Sequence, residues 1–285
     1  MISQRIEILA ATARDYPRQL FDLDQPPDPL YAIGDLTLLS RPLVSIVGTR
    51  EATGYGLKTT RALATALARA GCVIVSGLAR GIDAAAHRAA LECDGGTVAV
   101  LGTGIDVPYP VGHTELHRVV CERGLMLSEN EPGRSAHKGA FPKRNRIIAA
   151  LSNLTIVVEA GHKSGAKNTA NCVLGLGKTL AAVPGPIDSP QSAGTNNMIR
   201  DGAAVIATIE DALALAGVAH VKIAQPLQLD GADADVWSAI GGETLALDAI
   251  ASRTGLPVRE CLTAVTSLEL QGMVETLVTG EVRHR

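Results

Sequence analysis

The sequence predicts an α/β chain: a Rossmann-like domain whose mostly parallel sheet carries helices on both faces, followed by a small C-terminal winged-helix domain. Short apolar runs alternate with helical stretches from residue 43 onward. The runs are apolar throughout, which is typical of parallel strands covered on both faces. Beyond residue 231 the pattern changes to three short helices and a hairpin, the order of a winged helix-turn-helix.

The elements of the large domain follow one another at short intervals. The predicted strands are Leu43–Val47, Val73–Val75, Thr97–Leu101, Leu125–Leu127, Thr155–Val158, Thr179–Val183 and Ala204–Ile206. The predicted helices are Leu57–Ala70, Asp83–Glu92, His113–Arg123, a helix ending over Arg146–Leu151, Thr169–Leu174 and Asp211–Ala216. Within the first helix, one face carries Leu57, Thr60, Leu63/Ala64 and Leu67, the spacing of an amphipathic helix.

Four segments are expected along the chain. Residues 1–38 form a lead-in whose proline-punctuated part, 16–29, is expected to be extended rather than helical, and residues 39–218 form the Rossmann-like domain. Residues 219–231 form a linker, and 232–285 the winged-helix-like domain. In that domain we predict helices over Asp233–Ile240, Leu247–Arg253 and Val258–Leu270, with Gly272 ending the third and a hairpin over 273–282.

Charge is unevenly distributed along the chain. The overall net charge is −3, but residues 39–149 carry +5, whereas residues 230–285 contain no lysine and carry −5. Proteins bind duplex DNA by neutralising its phosphates, so an acidic tail is poorly suited to bind it. We therefore expect the tail to act in protein interaction or self-association.

The five cysteines are scattered and form no C-x-x-C pair, which indicates reduced thiols and a cytoplasmic protein. No apolar run reaches the ~18 residues of a membrane helix.

Glycines and arginines follow the first two predicted strands at the points where these strands end. The candidate residues are Gly48, Thr49 and Arg50 after the first strand, and Ser76, Gly77, Arg80 and Gly81 after the second. The first strand is also followed by the glycine turn Gly54-Tyr55-Gly56 before its helix. Backbone amides at a strand-to-helix turn and a planar guanidinium both bind phosphate. Ligands of such sheets bind beyond the carboxyl ends of the strands, so the two turns together predict one anion pocket. A glycine turn is as often purely structural, and Asp83 and His87 are equally well explained as a helix cap and a packed residue.

Two further segments supply candidate contacts. Phe141, Lys143, Arg144 and Arg146 place three cations beside an aromatic ring, a combination that neutralises phosphates and stacks on bases. The alternative is a solvated charge run with Phe141 in the core. After the strand that ends near Glu159, the residues expected to face the same crevice are Ser164, Gly165, Lys167 and Thr169.

Other patterns do not predict a nucleotide or metal site. Gly177-Lys178-Thr179 resembles the end of a Walker A loop, but its first glycine is replaced by Cys172 and a strand follows. His113-x-Glu115-x-His117 places two histidines one turn apart without a third ligand, so a surface helix is favoured over zinc. We expect no cofactor and no metal.

Several motifs, in matching order and spacing, resemble the DNA-processing protein A (DprA/Smf) family. They are VGTR at 47–50, SGLARGIDAAAH at 76–87, GGTVAVLGTGIDVPYP at 95–110, FPKRNRIIAALS at 141–152, SGAKNTA at 164–170, PG at 184–185 and AGTNNMIRDGA at 193–203. The resemblance covers nearly all of 43–203 and extends to the lead-in and the tail. Residues 1–38 would then include the remnant of a helical N-terminal domain that many members carry.

This resemblance implies a non-enzymatic protein that binds and protects incoming single-stranded DNA. It also implies a homodimer that loads the recombinase RecA in recombination and natural transformation, the competence pathway. The family's basic pocket would comprise Arg50, Arg80 and the run 143–146.

The alternative function is that of a nucleotide-processing hydrolase on a related fold, such as the cytokinin-activating phosphoribohydrolases. Their catalytic glutamate lies in a P-G-G-x-G-T-x-x-E loop that this sequence lacks. Release of free base from nucleoside monophosphates would identify such an enzyme.

Overall fold

The computed structural model describes residues 5–137, 139–162, 164–218, 231–241, 243–270, 273–277 and 280–284. The chain divides into two compact units, Met1–Val221 and Lys222–Arg285. Most of the expected linker, residues 219–230, lies outside the described residues, as do Gly272 and positions 278–279 of the expected hairpin. Among the described helices, none is long and apolar enough to cross a membrane.

The first unit is built on a nine-stranded, mostly parallel sheet. Its strands are β1 Glu7–Leu9, β2 Leu30–Gly34, β3 Leu43–Val47, β4 Val73–Ser76, β5 Thr97–Leu101, β6 Leu125–Ser128, β7 Leu154–Val157, β8 Thr179–Ala182 and β9 Ala204–Val205. They lie in the order β1-β2-β6-β5-β4-β3-β7-β8-β9. The pairs β1–β2 and β2–β6 are antiparallel, and the strands from β6 to β9 pair in parallel.

Helices cover both faces of this sheet. They are α1 Gly54–Arg69, α2 Ile82–Glu92, α3 Thr114–Arg123, α4 Ala140–Leu151, α5 Ala166–Gly175, α6 Ala193–Arg200 and α7 Ile209–Leu215. Successive side chains of a strand point to opposite faces. Val44 and Ile46 of β3 accordingly join the core that contains Leu67 of α1, whereas Val47 joins the core that contains Ile148 of α4. The predicted two-sided α/β fold is confirmed.

The predicted strands and helices agree with the structure to within a few residues, but three elements of the first unit were not predicted. Helix α6 carries the AGTNNMIR motif, and β1 and β2 come from the lead-in. The expectation that the lead-in is not helical is wrong at Arg18–Asp22, which forms a short 3₁₀ helix. Its Leu20 is fully buried, and the nearby Tyr16 hydroxyl donates to the carbonyl of Pro27 at 2.8 Å. Tertiary burial thus orders a segment whose local sequence favours extension.

The second unit has the predicted winged-helix arrangement. Its elements are α8 Ala232–Ile240, β10 Leu245–Ala246, α9 Leu247–Thr254, α10 Val258–Leu270, β11 Val274–Thr276 and β12 Glu281–His284. The strands form a small antiparallel sheet in the order β10-β12-β11. Ile240, Ile250, Leu268 and Val282 are among the buried side chains that join these helices to the sheet in one core.

Candidate functional site

The carboxyl ends of β3, β4 and β7 meet at one edge of the sheet. The amide of Thr49 donates to the carbonyl of Glu159 at 2.8 Å, and the amide of Ile82 donates to the carbonyl of Thr49 at 3.3 Å. Gly81 has φ +75°, and a Cβ there would lie 2.4 Å from the oxygen of Thr49. Such close approach requires glycine. The strand ends that the sequence predicts to be neighbours therefore lie in contact.

Two adjoining cavities open at this edge, and together we call them the strand-tip cleft. The larger has a volume of about 500 Å³, and the predicted site residues that line it are Gly48, Thr49, Arg50, Arg80, Phe141, Arg144, Ser164, Gly165 and Thr169. The smaller, of about 370 Å³, shares Arg50, Arg80, Phe141 and Arg144 and adds Gly77, Tyr109, Pro110, Gly112 and His113. Most of the predicted site residues are thus assembled around one depression.

Arg50 and Arg80 supply exposed positive charge to the cleft. Within the described part of the chain, neither guanidinium lies in an ion pair. Arg50 lies over the ring of Phe141, with Cζ 5.4 Å from the ring centroid. The Phe141 ring is only partly buried and lies 5.0 Å from that of Tyr109, centroid to centroid. The cleft therefore combines available cations with accessible aromatic faces.

Arg144 has a different environment from the other two arginines, because it is 4% exposed. Its Nη1 donates to the carbonyl of Gly77 at 2.7 Å and to that of Val100, so it joins the ends of β4 and β5. Burial lowers the pKa of Arg144 to about 10 despite the nearby Asp83 carboxylate. A Cβ on Gly77 would lie 2.5 Å from the guanidinium. Arg144 and Gly77 thus form the floor of the cleft.

Asp83 lies beside this arginine at the start of α2. Its carboxylate accepts from the Gly77 amide at 3.2 Å, while burial raises its pKa and the Arg144 charge opposes that rise. The interpretation of Asp83 as a helix cap is wrong, because Gly81 is the N-cap residue of α2 and no side chain caps it. Asp83 lies in the first turn of the helix and lines the larger cavity. His87, one turn later, is fully buried and its Nδ1 lies 2.7 Å from Thr97 Oγ1.

The structure corrects the expectation for Ser76 and gives Gly81 a packing role. Ser76 is fully buried, and its hydroxyl donates to the Ile46 carbonyl at 2.6 Å. That hydroxyl faces the neighbouring strand and cannot reach a ligand in the cleft. Gly81 permits the contact with Thr49 described above.

Three of the predicted cations lie outside the lining of the cleft. The Lys143 Nζ and an Arg146 Nη lie 3.0 and 2.6 Å from the nearly buried Glu129 carboxylate, and Arg146 also donates to the Gln25 carbonyl. Lys167 turns toward the carbonyl of His162, at 3.4 Å. Of the three cations at 143–146, only the buried Arg144 therefore lines the cleft, because the Glu129 carboxylate forms ion pairs with Lys143 and Arg146.

Sequence reasoning missed the role of Glu159. The Gly54–Gly56 turn was expected to offer its amides to a bound anion, but the carboxylate of Glu159 occupies that position. It accepts from the amide and the hydroxyl of Thr53, at 2.9 and 2.5 Å, and a Cβ on Gly56 would lie 2.3 Å from it. A negative group at a helix N-terminus is stabilising. The expectation of a phosphate there is wrong because the anion is the protein's own.

The pair His113 and His117 serves backbone contacts. His113 Nδ1 lies 2.9 Å from the Leu78 carbonyl, and His117 Nε2 lies 2.9 Å from the Ile105 carbonyl. Across the described ranges, no group of three or more His, Cys, Asp or Glu residues is placed to hold a metal ion.

The buried His87 should make the stability of the first unit depend on pH. Burial lowers its pKa to about 3 from 6.5, so below pH 6.5 the unfolded chain binds a proton that the native state excludes. Stability should therefore fall by about 1.4 kcal/mol per pH unit between 6.5 and 3, or about 2 kcal/mol by pH 5. Urea unfolding of the wild type and His87→Met at pH 7 and 5 measures this. The His87→Met variant should lack the part of the stability loss that His87 causes. An equal loss of stability in both proteins would contradict the attribution to His87.

The fold and motifs have counterparts among known proteins. The model of the DNA recombination-mediator protein A family matches residues 7–217, and that of the DprA winged helix domain matches 222–278. The putative DNA processing protein DprA of Mycobacterium tuberculosis is 39% identical over 256 residues, which cover 86% of this chain and 66% of that protein. Protein Smf of Escherichia coli is 35% identical over 289 residues, covering 98% of this chain and 77% of that protein.

Solved structures agree with these matches. The X-ray structure of DNA processing protein A from Streptococcus pneumoniae has a TM-score of 0.71 at 39% identity and covers 74% of each chain. A structure of DNA processing protein A from Helicobacter pylori, described for its unique single-stranded DNA binding mode, has a TM-score of 0.67 at 34% identity. It covers 73% of this chain and 94% of that one. By its two family domains and its identity to these relatives, this chain belongs to the DNA recombination-mediator protein A (DprA/Smf) family.

Proposed function

We propose that the strand-tip cleft binds the backbone of single-stranded DNA, so that the protein can protect the strand and deliver it to RecA during recombination and natural transformation. The observation that carries this proposal is the pair Arg50 and Arg80, exposed at adjacent strand ends and without ion pairs in the described part of the chain. A guanidinium binds phosphate oxygens in a bidentate manner. The flanking hydroxyls of Thr49 and Ser164 and the amide of Gly165 are further phosphate donors in this proposal.

The aromatic side chains favour a single strand over a duplex. Phe141 and Tyr109 are accessible beside the two arginines, and base–aromatic stacking is sequence-tolerant because every base has a π-face. Bases in a duplex keep their faces stacked on one another, so these rings could not reach them without unstacking. The H. pylori relative, 34% identical, is described for its single-stranded DNA binding.

The partners of the DNA-bound protein are inferred from the family. We propose that the protein works in the cytoplasm as a homodimer with RecA as its partner, without a reaction of its own. Sedimentation of the purified chain tests the dimer. RecA filament formation on strands coated with this protein tests the delivery.

The two buried carboxylates beside the cleft do not favour the hydrolase alternative. Asp83 and Glu159 each accept hydrogen bonds from backbone amides of the protein. Asp83 lines the larger cavity, but its carboxylate already accepts from the amides of Gly77 and Ala79, whereas a general base must be free to take a proton from its substrate. Incubation with nucleoside monophosphates, followed by analysis for free base, tests the alternative directly; released base would replace the binding proposal by an enzymatic one.

We propose that the winged-helix unit contacts protein rather than duplex DNA. Its exposed helix α10 presents Val258 and Leu262, 47% and 54% exposed, and the segment 230–285 carries a net charge of −5. Duplex affinity at physiological salt should be unchanged in a chain that ends at residue 218. A clear loss of duplex binding on this truncation would refute the proposal.

Binding of an oligothymidine should depend strongly on salt. Each phosphate contact of a single strand contributes about −0.7 to the slope of log K against log salt concentration. Contacts at Arg50 and Arg80 alone therefore predict a slope of about −1.4 or steeper. Fluorescence anisotropy between 50 and 300 mM salt, on the order of the range over which such effects are seen, measures the slope. A flat dependence, or equal affinity for a duplex of the same length, would contradict the proposal.

A further inference from the structure

We propose that the smaller cavity of the strand-tip cleft is a nucleobase subsite in which Nε2 of His113 accepts a hydrogen bond from a base N–H group. This inference rests on the proposed binding of single-stranded DNA and adds a base contact to its phosphate contacts. The preferred ligand at this position is a nucleotide whose base carries an N–H donor on its Watson–Crick edge, such as N3–H of thymine.

The hydrogen bond to Leu78 fixes which nitrogen of His113 carries the proton. Nδ1 lies 2.9 Å from the Leu78 carbonyl, and a carbonyl oxygen can only accept, so Nδ1 carries the proton. In the neutral imidazole the other nitrogen, Nε2, is then an acceptor. His113 is only 8% exposed and lines the smaller cavity. Nε2 has no partner among the described residues, yet it is not among the enclosed, unsatisfied atoms.

His117, one turn away, provides a contrast. Its Nε2 bonds to the Ile105 carbonyl, and its Nδ1 lies 3.8 Å from the Cys121 sulfur. Both of its nitrogens thus face protein atoms. A purely structural role for His113 would explain its hydrogen bond to the carbonyl of Leu78, which is buried and has φ +58°. It would not explain why Nε2 of a residue that lines a cavity has no hydrogen-bond partner in the described part of the chain.

The other walls of the cavity suit a base. The rings of Tyr109 and Phe141, 5.0 Å apart and inclined by 33°, provide apolar faces, and Pro110 adds a third. The volume of about 370 Å³ falls within the range of sites for small ligands. Arg50 and Arg80 line this cavity and the larger one alike. A phosphate on these arginines would therefore leave its nucleotide at the entrance of the smaller cavity.

Three oligomers test the base contact: oligothymidine, the same oligomer with every thymine N3-methylated, and an abasic oligomer of equal length. The variant His113→Asn is the matched change, because its amide can still donate to the Leu78 carbonyl but has no atom at the position of Nε2. The wild type should bind oligothymidine about threefold to tenfold more tightly than the methylated oligomer, the range of one neutral hydrogen bond. His113→Asn should lose this factor on oligothymidine and bind the methylated and abasic oligomers as the wild type does.

The outcomes separate this inference from the function on which it rests. Equal binding of oligothymidine and the methylated oligomer by the wild type would overturn it. So would a variant that keeps its full affinity for oligothymidine and only gains affinity for the methylated oligomer, because this would indicate steric exclusion. If the wild type binds none of the three oligomers, the proposed function itself fails. If it binds all three equally, the phosphate contacts stand and the base contact does not.

Discussion

Replacing both Arg50 and Arg80 by alanine should weaken binding of single-stranded DNA by about 100-fold or more. A hydrogen bond to a charged group contributes about 1.5–3 kcal/mol, and the two guanidinium groups lie at adjacent strand ends around one cleft. Each single variant should lose about tenfold or more, and the double variant should also show a salt slope reduced by about 1.4. Anisotropy titrations with an oligothymidine at several salt concentrations measure both quantities.

Arg69 provides the matched control for this experiment. It is an exposed arginine in the last turn of α1, at the opposite end of that helix from the cleft. Arg69→Ala removes the same charge from the protein as either single variant, so it should change affinity by less than about twofold, a purely long-range effect. If Arg69→Ala weakened binding as much as Arg50→Ala, net charge rather than the cleft would govern the interaction.

Replacing Arg144 by methionine should destabilise the first unit by about 3–5 kcal/mol, the usual effect of leaving a buried charge without its compensating partner. The substitution leaves the Asp83 carboxylate buried without its cation. It also leaves the carbonyls of Gly77 and Val100 without the guanidinium donor. Methionine retains much of the apolar volume, so the loss measures the charge and the hydrogen bonds. Urea unfolding at pH 7 gives the change in free energy.

A double-mutant cycle with Asp83→Asn separates the electrostatic interaction between the two buried charges from the other contacts of Arg144. The asparagine oxygen can still accept from the Gly77 amide, while the negative charge is removed. The double variant should therefore be less destabilised than the sum of the two single variants, with a coupling energy of about 1 kcal/mol or more. Strict additivity, or a fully stable Arg144→Met, would show that the two charges do not stabilise each other.

The sequence predicted the location of the cleft better than the role of each residue in it. Apolar runs define where parallel strands end, and ligands of such sheets collect at that edge, which explains why Arg50 and Arg80 were found. The direction of a single side chain at a strand end does not follow from this pattern. Ser76, itself a predicted contact, faces β3 instead of the cleft.

Contacts between distant parts of the chain could not be predicted from local sequence patterns. Nothing near Lys143 and Arg146 in sequence indicates that Glu129, at the end of another strand, neutralises both. Glu159 likewise caps a helix more than 100 residues earlier in the chain. The strands β1 and β2 were missed for a related reason: they are short, with three and five residues, and their pairing, β1 with β2 and β2 with β6, depends on the tertiary fold.

A structure of the protein with a bound short oligothymidine tests most directly whether these strand ends hold a DNA backbone. We expect phosphate oxygens within hydrogen-bonding distance of the Arg50 and Arg80 guanidinium groups, with the bound oligothymidine crossing the ends of β3, β4 and β7. A strand bound elsewhere, with both arginines still facing solvent, would contradict it.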